Sequence, residues 1–220
     1  MPSPNDPGPH ELIKPGAGLG DLAKAVQDCR GCDRWRDATQ AVLGEGPPDA
    51  PIAMVGEQPG DVEDRQGRPF VGPAGAMLRA CMAEAGLTPD QVWMTNVVKH
   101  FGWRYEPGRG KRRIHRRPTM EQIHACHPWL DAELEVLRPE MVVCLGAVAA
   151  QTLIDRNFKV SADRGKILAG PYGSMLATVH PSSLLRAPDE AQRRKSREAF
   201  VDDLKVVAAH LKAVGKTATA

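Results

Sequence analysis

Short apolar runs alternate along this chain with longer segments of helical spacing. The runs have the length of buried strands and lie at residues 51–56, 92–98, 141–145 and 175–179. Apolar residues every three or four positions predict helices at residues 19–28, 73–86, 119–137, 146–154 and 188–213. Because strands alternate with helices, we predict a three-layer α/β/α protein with a central, mainly parallel four-stranded sheet.

The same pattern predicts the domain boundaries. Residues 1–18 are rich in proline and glycine and lack an apolar signal core, so we expect a disordered leader and no secretion. Residues 19–213 fit one domain, and residues 214–220 a disordered tail. No apolar run is long enough to span a bilayer. We therefore expect a cytoplasmic protein without a membrane partner, with a monomer as the default.

Polar residues follow the predicted strands. In parallel sheets covered by helices on both faces, binding sites form beyond the carboxyl ends of the strands. Here those ends carry Glu57-Gln58, Asn96 with His100, Gly146, and His180. The sequence therefore predicts a pocket at this edge of the sheet.

Charge is concentrated in one segment. The whole chain has a formal charge of only +2, but residues 104–117 carry seven basic side chains and one acidic one, which leaves −4 for the rest. Glycines and prolines exclude a helix here, so we predict a flexible cationic loop that contacts phosphate locally. Its single histidine, His115, should be mostly neutral near pH 7, because neighbouring cations lower the pKa of an imidazole. The alternative is a solvated basic loop whose histidine has no role.

The five cysteines form an odd number, and no export signal accompanies them. Reduced thiols or metal ligands are therefore expected rather than disulfides. Cys29 and Cys32 have the C-x-x-C spacing that places two thiolates on one metal centre. Cys81 lies in a predicted helix and Cys144 in a predicted strand, so both fit inert core thiols.

Three segments have the composition of binding loops, and each also has an ordinary structural explanation. Residues 56–61 form a glycine- and proline-containing turn after a strand, where backbone amides are exposed. Residues 70–75 offer an aromatic face and glycines that permit close approach of a ligand, or else simply begin a helix. Residues 180–186 combine a histidine, two serines, two leucines and an arginine, and leucines beside an arginine suit a wedge into a base stack.

Together these segments resemble the iron–sulfur families of the uracil-DNA glycosylase superfamily, and within them the UdgX family. The matching motifs occur in the same chain order at Gly56–Gly60, Phe70–Gly75, Thr95–Lys99 and His180–Ser182, within a resemblance that spans roughly residues 20 to 210. Two features depart from the ordinary turnover enzymes. Gln58 stands where those enzymes usually have a small residue, and the KRRIH segment ending at His115 looks like the UdgX loop that supplies a covalent histidine.

The resemblance also implies a cofactor. Related families have a cysteine directly after the Val-Lys of the second strand, whereas this chain has His100, as UdgX proteins do. We therefore expect a [4Fe–4S] cluster held by Cys29, Cys32, His100 and Cys126. A zinc ion held by the same three cysteines and one histidine fits the spacing equally well.

The resemblance implies that uracil in DNA, single-stranded or double-stranded, is flipped into the pocket. Phe70 would stack on the base, Asn96 would read its O4 and N3–H edge, and His180, helped by the strand-end amides near Gln58, would stabilise the departing anion. The residues expected to contact DNA are Lys111, Arg112, Arg113, Arg116, Ser182, Ser183, Leu184, Leu185 and Arg186.

By the same resemblance, His115 bonds to C1′ of the deoxyribose and so captures the DNA covalently. Glu57 would orient this imidazole and balance its proton, and Asp61 is a further candidate for a catalytic role. One alternative is an ordinary turnover glycosylase, which releases uracil and leaves an abasic site. Another is a nucleic-acid-binding module without activity. The expected location is the cytoplasm, with association to the nucleoid when DNA is bound.

Overall fold

The structure is a computed structural model that describes residues 6–105 and 113–217. In these ranges the helices are α1 Pro9–Leu12, α2 Leu19–Ala25, α3 Asp61–Gln66, α4 Pro73–Glu84, α5 Met120–Leu137, α6 Ala147–Leu153, α7 Val160–Asp163, α8 Pro181–Leu185 and α9 Glu190–Thr217. The strands are β1 Ile52–Gly56, β2 Val92–Asn96, β3 Trp103–Arg104, β4 Ile114–His115, β5 Met141–Leu145, β6 Ile167–Gly170 and β7 Gly173–Thr178.

The central sheet has the order β2-β1-β5-β7-β6. Its first four strands are parallel, as predicted, and β6 pairs with β7 in the antiparallel direction. The predicted fold class is therefore confirmed, with one additional edge strand. Strand β6 was not predicted, and its apolar run Ile167–Gly170 is only four residues long and mostly exposed in the structure.

Two hydrophobic cores lie on opposite faces of the sheet. Successive side chains of a strand point to opposite faces, so β1 supplies Ala53 and Val55 to one core and Ile52 and Met54 to the other. The first core is closed by α2, α5 and α6, and the second by α4, α8 and α9. The strands are covered on both faces, which explains why they read as continuous apolar runs.

Helix signals in the sequence place the main helices closely. Thr119 caps α5 by accepting a hydrogen bond from the Gln122 backbone N–H at 3.2 Å, and the Gln122 side chain accepts from the Thr119 N–H at 3.0 Å. Pro73 occupies the first turn of α4, where its missing N–H costs nothing. The predicted helices at residues 73–86 and 119–137 thus form with shifts of one or two residues.

The segment expected to be a disordered leader contains α1, and the Arg30 N–H donates to the Pro7 carbonyl at 2.7 Å. Residues 1–5 of that segment lie outside the described residues, as do residues 218–220 of the expected tail. Helix α9 continues to Thr217. None of the helices in the described ranges is both long and apolar enough to cross a bilayer.

A small antiparallel hairpin lies beside the sheet. Strand β3 pairs with β4, so that Trp103 stands opposite His115 and Arg104 opposite Ile114. Residues 106–112 between the two strands are outside the described ranges, and the predictions for Lys111 and Arg112 fall there. The hairpin gives the predicted cationic loop an ordered base, and it carries His115.

A candidate active site at the carboxyl edge of the sheet

A cavity of about 460 Å³ opens at the predicted edge of the sheet. It receives side chains from the ends of β1 and β2, from the segment after β7 and from the β3–β4 hairpin. Among the residues that line it are Glu57, Gln58, Phe70, Asn96, His115, His180, Ser182 and Arg186. We refer to Phe70, Asn96 and His180 as the pocket floor, and to the β3–β4 hairpin as the pocket rim.

Close packing fixes the pocket floor. Asn96 is 2% exposed and Phe70 is 4% exposed. Gly56 is required here because a Cβ at that position would overlap the Asn96 side-chain oxygen and the Phe70 ring. The buried Asn96 amide therefore stands beside an aromatic face, which suits a flat polar ligand.

The backbone of Phe70 adopts a left-handed conformation, with φ of 53°. This conformation is uncommon for an aromatic residue and marks a position fixed by its surroundings. Arg79 donates to the Phe70 carbonyl at 2.7 Å, and Gly75 leaves the space that this carbonyl occupies. As a result the Phe70 ring stacks at 29° on the ring of His180, with the centroids 6.1 Å apart.

His180 caps the start of α8. Its Nδ1 accepts a hydrogen bond from the Ser182 backbone N–H at 3.2 Å. Burial, then the charges of Arg186 and His115, lower the pKa of His180 to about 4, so the ring is neutral at pH 7. A neutral ring that accepts at Nδ1 carries its proton on Nε2. His180 is therefore prepared to donate one hydrogen bond from Nε2.

Helix α8 separates its two leucines. Leu184 is 1% exposed and packs in the core against α4 and α9, so the prediction that it fills the gap left in DNA is wrong. Because consecutive helical residues point in different directions, only Leu185, 39% exposed, is available for that role. Arg186 and Ser182 line the cavity, and Arg186 donates to the Ser182 hydroxyl at 3.0 Å. Ser183 donates to the His180 carbonyl at 2.7 Å.

The pocket rim brings His115 to the cavity. Its side chain is 48% exposed, and its Nε2 lies 3.4 Å from Glu57 Oε1. Among the described residues this buried Glu57 oxygen has no hydrogen-bond partner. Phe101 flanks the imidazole, with ring centroids 6.5 Å apart. The sequence prediction that His115 and Glu57 meet is thus consistent with their placement.

The electrostatics of this pair differ partly from the expectation. Burial, followed by the charges of Arg34 and Arg186, lowers the pKa of His115 to about 4. The ring is neutral, as predicted, and among the described residues the cations that contribute, Arg34 and Arg186, belong to other segments of the chain. Burial raises the pKa of Glu57, and Arg117, Arg34 and Arg186 oppose this effect.

Asp61 and Arg113 are engaged with each other. Arg113 is paired with Asp61 and, at 2.6 Å, with Asp64, and its guanidinium lies over the rings of Phe101 and Trp103. With a side chain only 10% exposed, Arg113 is not presented to a phosphate, which corrects the DNA-contact prediction for this residue. Asp61 is not among the residues that line the cavity. The pair instead fastens the rim to α3.

Other cations remain exposed on the same side. Arg116 and Arg117 are exposed, and the Arg116 backbone N–H donates to the Gly102 carbonyl at 2.8 Å. Asp61 also pairs with Arg65 at 3.1 Å. Arg116, Arg117 and Arg186 therefore remain as the phosphate-facing candidates within the described ranges.

One small cavity of about 10 Å³ is lined by all four predicted metal ligands, Cys29, Cys32, His100 and Cys126. Trp129 also lines it. Trp129 Nε1 donates to Cys29 Sγ at 3.3 Å. The Lys99 backbone N–H donates to Cys126 Sγ at 3.2 Å. Hydrogen bonds to sulfur of this kind accompany iron–sulfur ligation. The donor set, three thiols and an imidazole, therefore fits the predicted cluster chemically.

The protonation states of these groups follow from burial. Burial lowers the pKa of His100 to about 4, which leaves a nitrogen lone pair free, and raises the pKa of Cys126 to about 12. The thiol therefore needs a bound cation to become a thiolate. In the described part of the chain, no three His, Cys, Asp or Glu side chains lie close enough together to hold a single metal ion. Cys81 and Cys144 are buried in the cores, where the sequence places them.

Sequence reasoning missed several residues that support the site. Arg34 is buried beside Gln58. Glu63 lines the cavity and accepts a hydrogen bond from the Gly72 N–H at 2.9 Å. Lys99 forms a buried ion pair with Glu133. No local pattern predicts the burial of Arg34, since an arginine next to Asp33 is typical of a surface charge. The Lys99–Glu133 pair joins residues 34 positions apart, which no local pattern reveals.

Comparisons with known proteins show which family the chain belongs to. The family model of the uracil DNA glycosylase superfamily matches residues 43–205. The chain is 35% identical over 197 residues to a type-4 uracil-DNA glycosylase of Archaeoglobus fulgidus, covering 86% of this chain and 91% of that protein. It is 36% identical over 197 residues to a type-4 uracil-DNA glycosylase of Sulfurisphaera tokodaii, covering 83% and 85%. A type-5 uracil-DNA glycosylase of Thermus thermophilus is 32% identical over 161 residues, covering 60% and 70%.

Proposed function

Because this chain belongs to the uracil-DNA glycosylase superfamily, we propose that it removes uracil from DNA by cleaving the bond between the base and C1′. The observation that carries the proposal is the pocket floor. A buried Asn96 amide, a constrained Phe70 ring and a neutral His180 share one cavity.

A flipped uracil would meet each floor residue in a different way. The Asn96 side chain offers both a donor and an acceptor to the O4 and N3–H edge, whereas cytosine presents the opposite pattern at position four. An unmatched hydrogen bond in a dry pocket gives discrimination of about 10⁴-fold. The Phe70 ring supplies a stacking face. Substrate selection therefore rests on Asn96 and Phe70.

Bond cleavage leaves an electron pair on uracil N1, and the anion must be stabilised. The proton on His180 Nε2 can be donated to uracil O2, where negative charge develops. Gln58 is an indirect contributor, because its side chain already donates to the Gly102 carbonyl at 3.1 Å and accepts from Arg34. The backbone around Gln58, at the end of β1, supplies the remaining polarity.

The finer proposal concerns the sugar that remains. The unprotonated nitrogen of His115 forms a bond to C1′ as the C1′–N1 electron pair leaves with uracil, and Glu57 balances the charge that the ring acquires. Because the imidazole is held beside C1′, its effective concentration there is high, and this favours its attack over that of a freely diffusing group. Since the adduct has no route of release, the protein then makes a single turnover, as the resemblance to UdgX implies.

A specific observation favours the second candidate function. The His115 side chain is half-exposed, so water can reach the same side of the cavity. In an ordinary turnover glycosylase that water adds to C1′, free uracil leaves, and an abasic site remains. His115 then only contacts DNA.

Incubation with a uracil-containing oligonucleotide separates these functions. We expect a protein–DNA band that resists denaturation, an intact mass raised by one oligonucleotide less its uracil, and loss of both in His115→Ser. The matched control is His124→Ser, an exposed histidine on α5, which should retain the adduct. Uracil release in excess of enzyme without an adduct would establish ordinary turnover instead. Binding with the glycosidic bond intact would exclude an enzyme.

We further propose that Cys29, Cys32, His100 and Cys126 hold a [4Fe–4S] cluster of structural role. The cluster would tie the segment after α2 to the end of β2 and the start of α5. Brown protein with about four irons per chain is expected. Cys126→Ser should lose iron, whereas Cys81→Ser, a thiol of the other core, should keep it. Colourless protein with one zinc per chain would favour the alternative.

DNA binding would use the cations beside the cavity. Arg186 lines the cavity, Arg116 and Arg117 are exposed and directly follow His115 in the chain, and the predicted contacts of Lys111 and Arg112 extend this set. Affinity for uracil-containing DNA, single-stranded or double-stranded, should therefore fall steeply with salt. We expect a monomer to suffice, because the cavity described above is complete within one chain.

A further inference from the structure

Arg34 is a buried cation without an ion pair. The residue is 1% exposed, and none of the ion pairs among the described residues includes it. An unpaired charge in the interior is costly, and an apolar side chain of similar volume is often tolerated as well or better. The position of Arg34 therefore asks for an explanation other than stability.

The guanidinium of Arg34 joins three segments of the chain through neutral oxygens. Its Nε donates to Gln122 Oε1 at 2.8 Å, its Nη1 to Gln58 Oε1, and its Nη2 to the Arg116 carbonyl at 3.0 Å. A guanidinium spreads its donors over three nitrogens in one plane and so reaches three separated acceptors, whereas the three donors of a lysine share one nitrogen. Arg34 thus links the start of α5 and the end of β1 to the residue that follows His115.

The packing of the hairpin depends on the same side chain. Gly102 precedes β3, and a Cβ at that position would overlap the guanidinium of Arg34. The Gly102 carbonyl accepts from both the Arg116 N–H and the Gln58 side chain. The segment before β3 and the segment after β4 are therefore hydrogen-bonded to each other directly against the Arg34 guanidinium.

We propose that Arg34 is a positioning residue for His115, which holds the pocket rim at the distance from the floor that covalent capture needs. The inference rests on the proposed capture by His115. The charge of Arg34 also favours capture, because it helps to keep the imidazole neutral. After burial, it is the largest contribution that lowers the pKa of His115. Arg34 itself does not line the cavity.

Two substitutions test the inference. Arg34→Met keeps the volume without the fork or the charge, and Arg34→Lys keeps the charge without the fork. The measured quantity is the ratio of covalent adduct to free abasic product in a single turnover on uracil-containing DNA. We expect this ratio to fall at least tenfold in Arg34→Met and by less in Arg34→Lys. Arg34 lies in the one-turn 3-10 helix Asp33–Arg36, and the control is Arg36→Met, an exposed arginine of that helix, which should leave the ratio unchanged.

A purely structural role predicts a different result. If Arg34 only supports folding or the metal site, both products fall together with the folded fraction, and an unchanged ratio in the folded protein overturns the inference. Hydrogen exchange provides an independent readout, since the Arg116 amide should lose protection in both variants, and retained protection argues against positioning. If the wild-type protein forms no adduct, the proposed capture fails, and hydrogen exchange alone decides whether Arg34 holds the rim.

Discussion

The floor and the rim of the pocket are built by different means. The floor residues follow strands of the sheet or pack tightly against it, and Asn96 and Phe70 are almost completely buried. The rim consists of two strands of two residues each, and its His115 is half-exposed. The sheet thus positions the groups proposed to recognise the base, whereas a few polar contacts position the histidine proposed to capture the sugar. Excision and capture should consequently be separable by mutation.

The largest effect is expected where the floor joins the core. Lys99 donates to the Asn96 carbonyl at 2.7 Å and pairs with Glu133, and both side chains are fully buried. Lys99→Met leaves the Glu133 carboxylate without its cation, so we expect the free energy of unfolding to fall by about 3–5 kcal/mol. Urea titration measures this loss.

Two variants sharpen that result. Adding Glu133→Leu to Lys99→Met should recover much of the stability, because the uncompensated charge is then removed. Lys205→Met, at an exposed lysine of α9, should leave the urea midpoint unchanged. If the double variant is less stable than Lys99→Met, the buried charge is not the cause.

His180→Ala tests the floor chemically. It removes the proposed donor to the departing uracil, so the single-turnover rate of uracil release should fall about 10²–10³-fold, and adduct formation should fall with it. His124→Ala, on the surface of α5, serves as the control. A variant that still releases uracil at the wild-type rate would remove His180 from the mechanism.

Glu57→Gln tests the contact between the rim and the residue that follows β1. Without the carboxylate 3.4 Å from His115, adduct formation should slow about a hundredfold, which is within the range for proton-transfer groups. Uracil release should slow by less, so the ratio of adduct to abasic product decreases. Glu45→Gln, an exposed glutamate paired with Arg68, is the matched control. Equal slowing of the two products would place Glu57 in excision and not in capture.

The smallest effect concerns pH. His115 faces Arg34, Arg186 and Glu57, and its pKa of about 4 keeps the proposed nucleophile neutral until the pH falls through that value. The rate of adduct formation should therefore stay level from pH 7 to pH 5. An imidazole with the ordinary pKa of about 6.5 would already slow about tenfold at pH 5.5. Rapid-quench measurements, with circular dichroism as a check of folding at each pH, distinguish the two profiles.

Much of the fold was predictable because its signals are local. Buried strands appear as apolar runs, and helices as apolar spacing that ends at a cap, so β5 and α5 fall within a residue of their predicted bounds. The rule that sites form at the carboxyl edge of a parallel sheet then placed Asn96 and His180 together. The edge strand β6 was not predicted, because a run of four apolar residues is too short to distinguish a strand from a loop.

What the sequence by itself determined was therefore the layered sheet and the residue types at its edge. Only the tertiary structure decided that Leu184 faces the core, that Arg113 is paired with Asp61 and Asp64, and that Arg34 lies under the rim. The partners of Arg34 are 24, 88 and 82 residues away along the chain. The spacing of apolar residues predicts only which side of a helix or strand faces the core. Whether a charged side chain is buried depends on partners that lie far away along the chain.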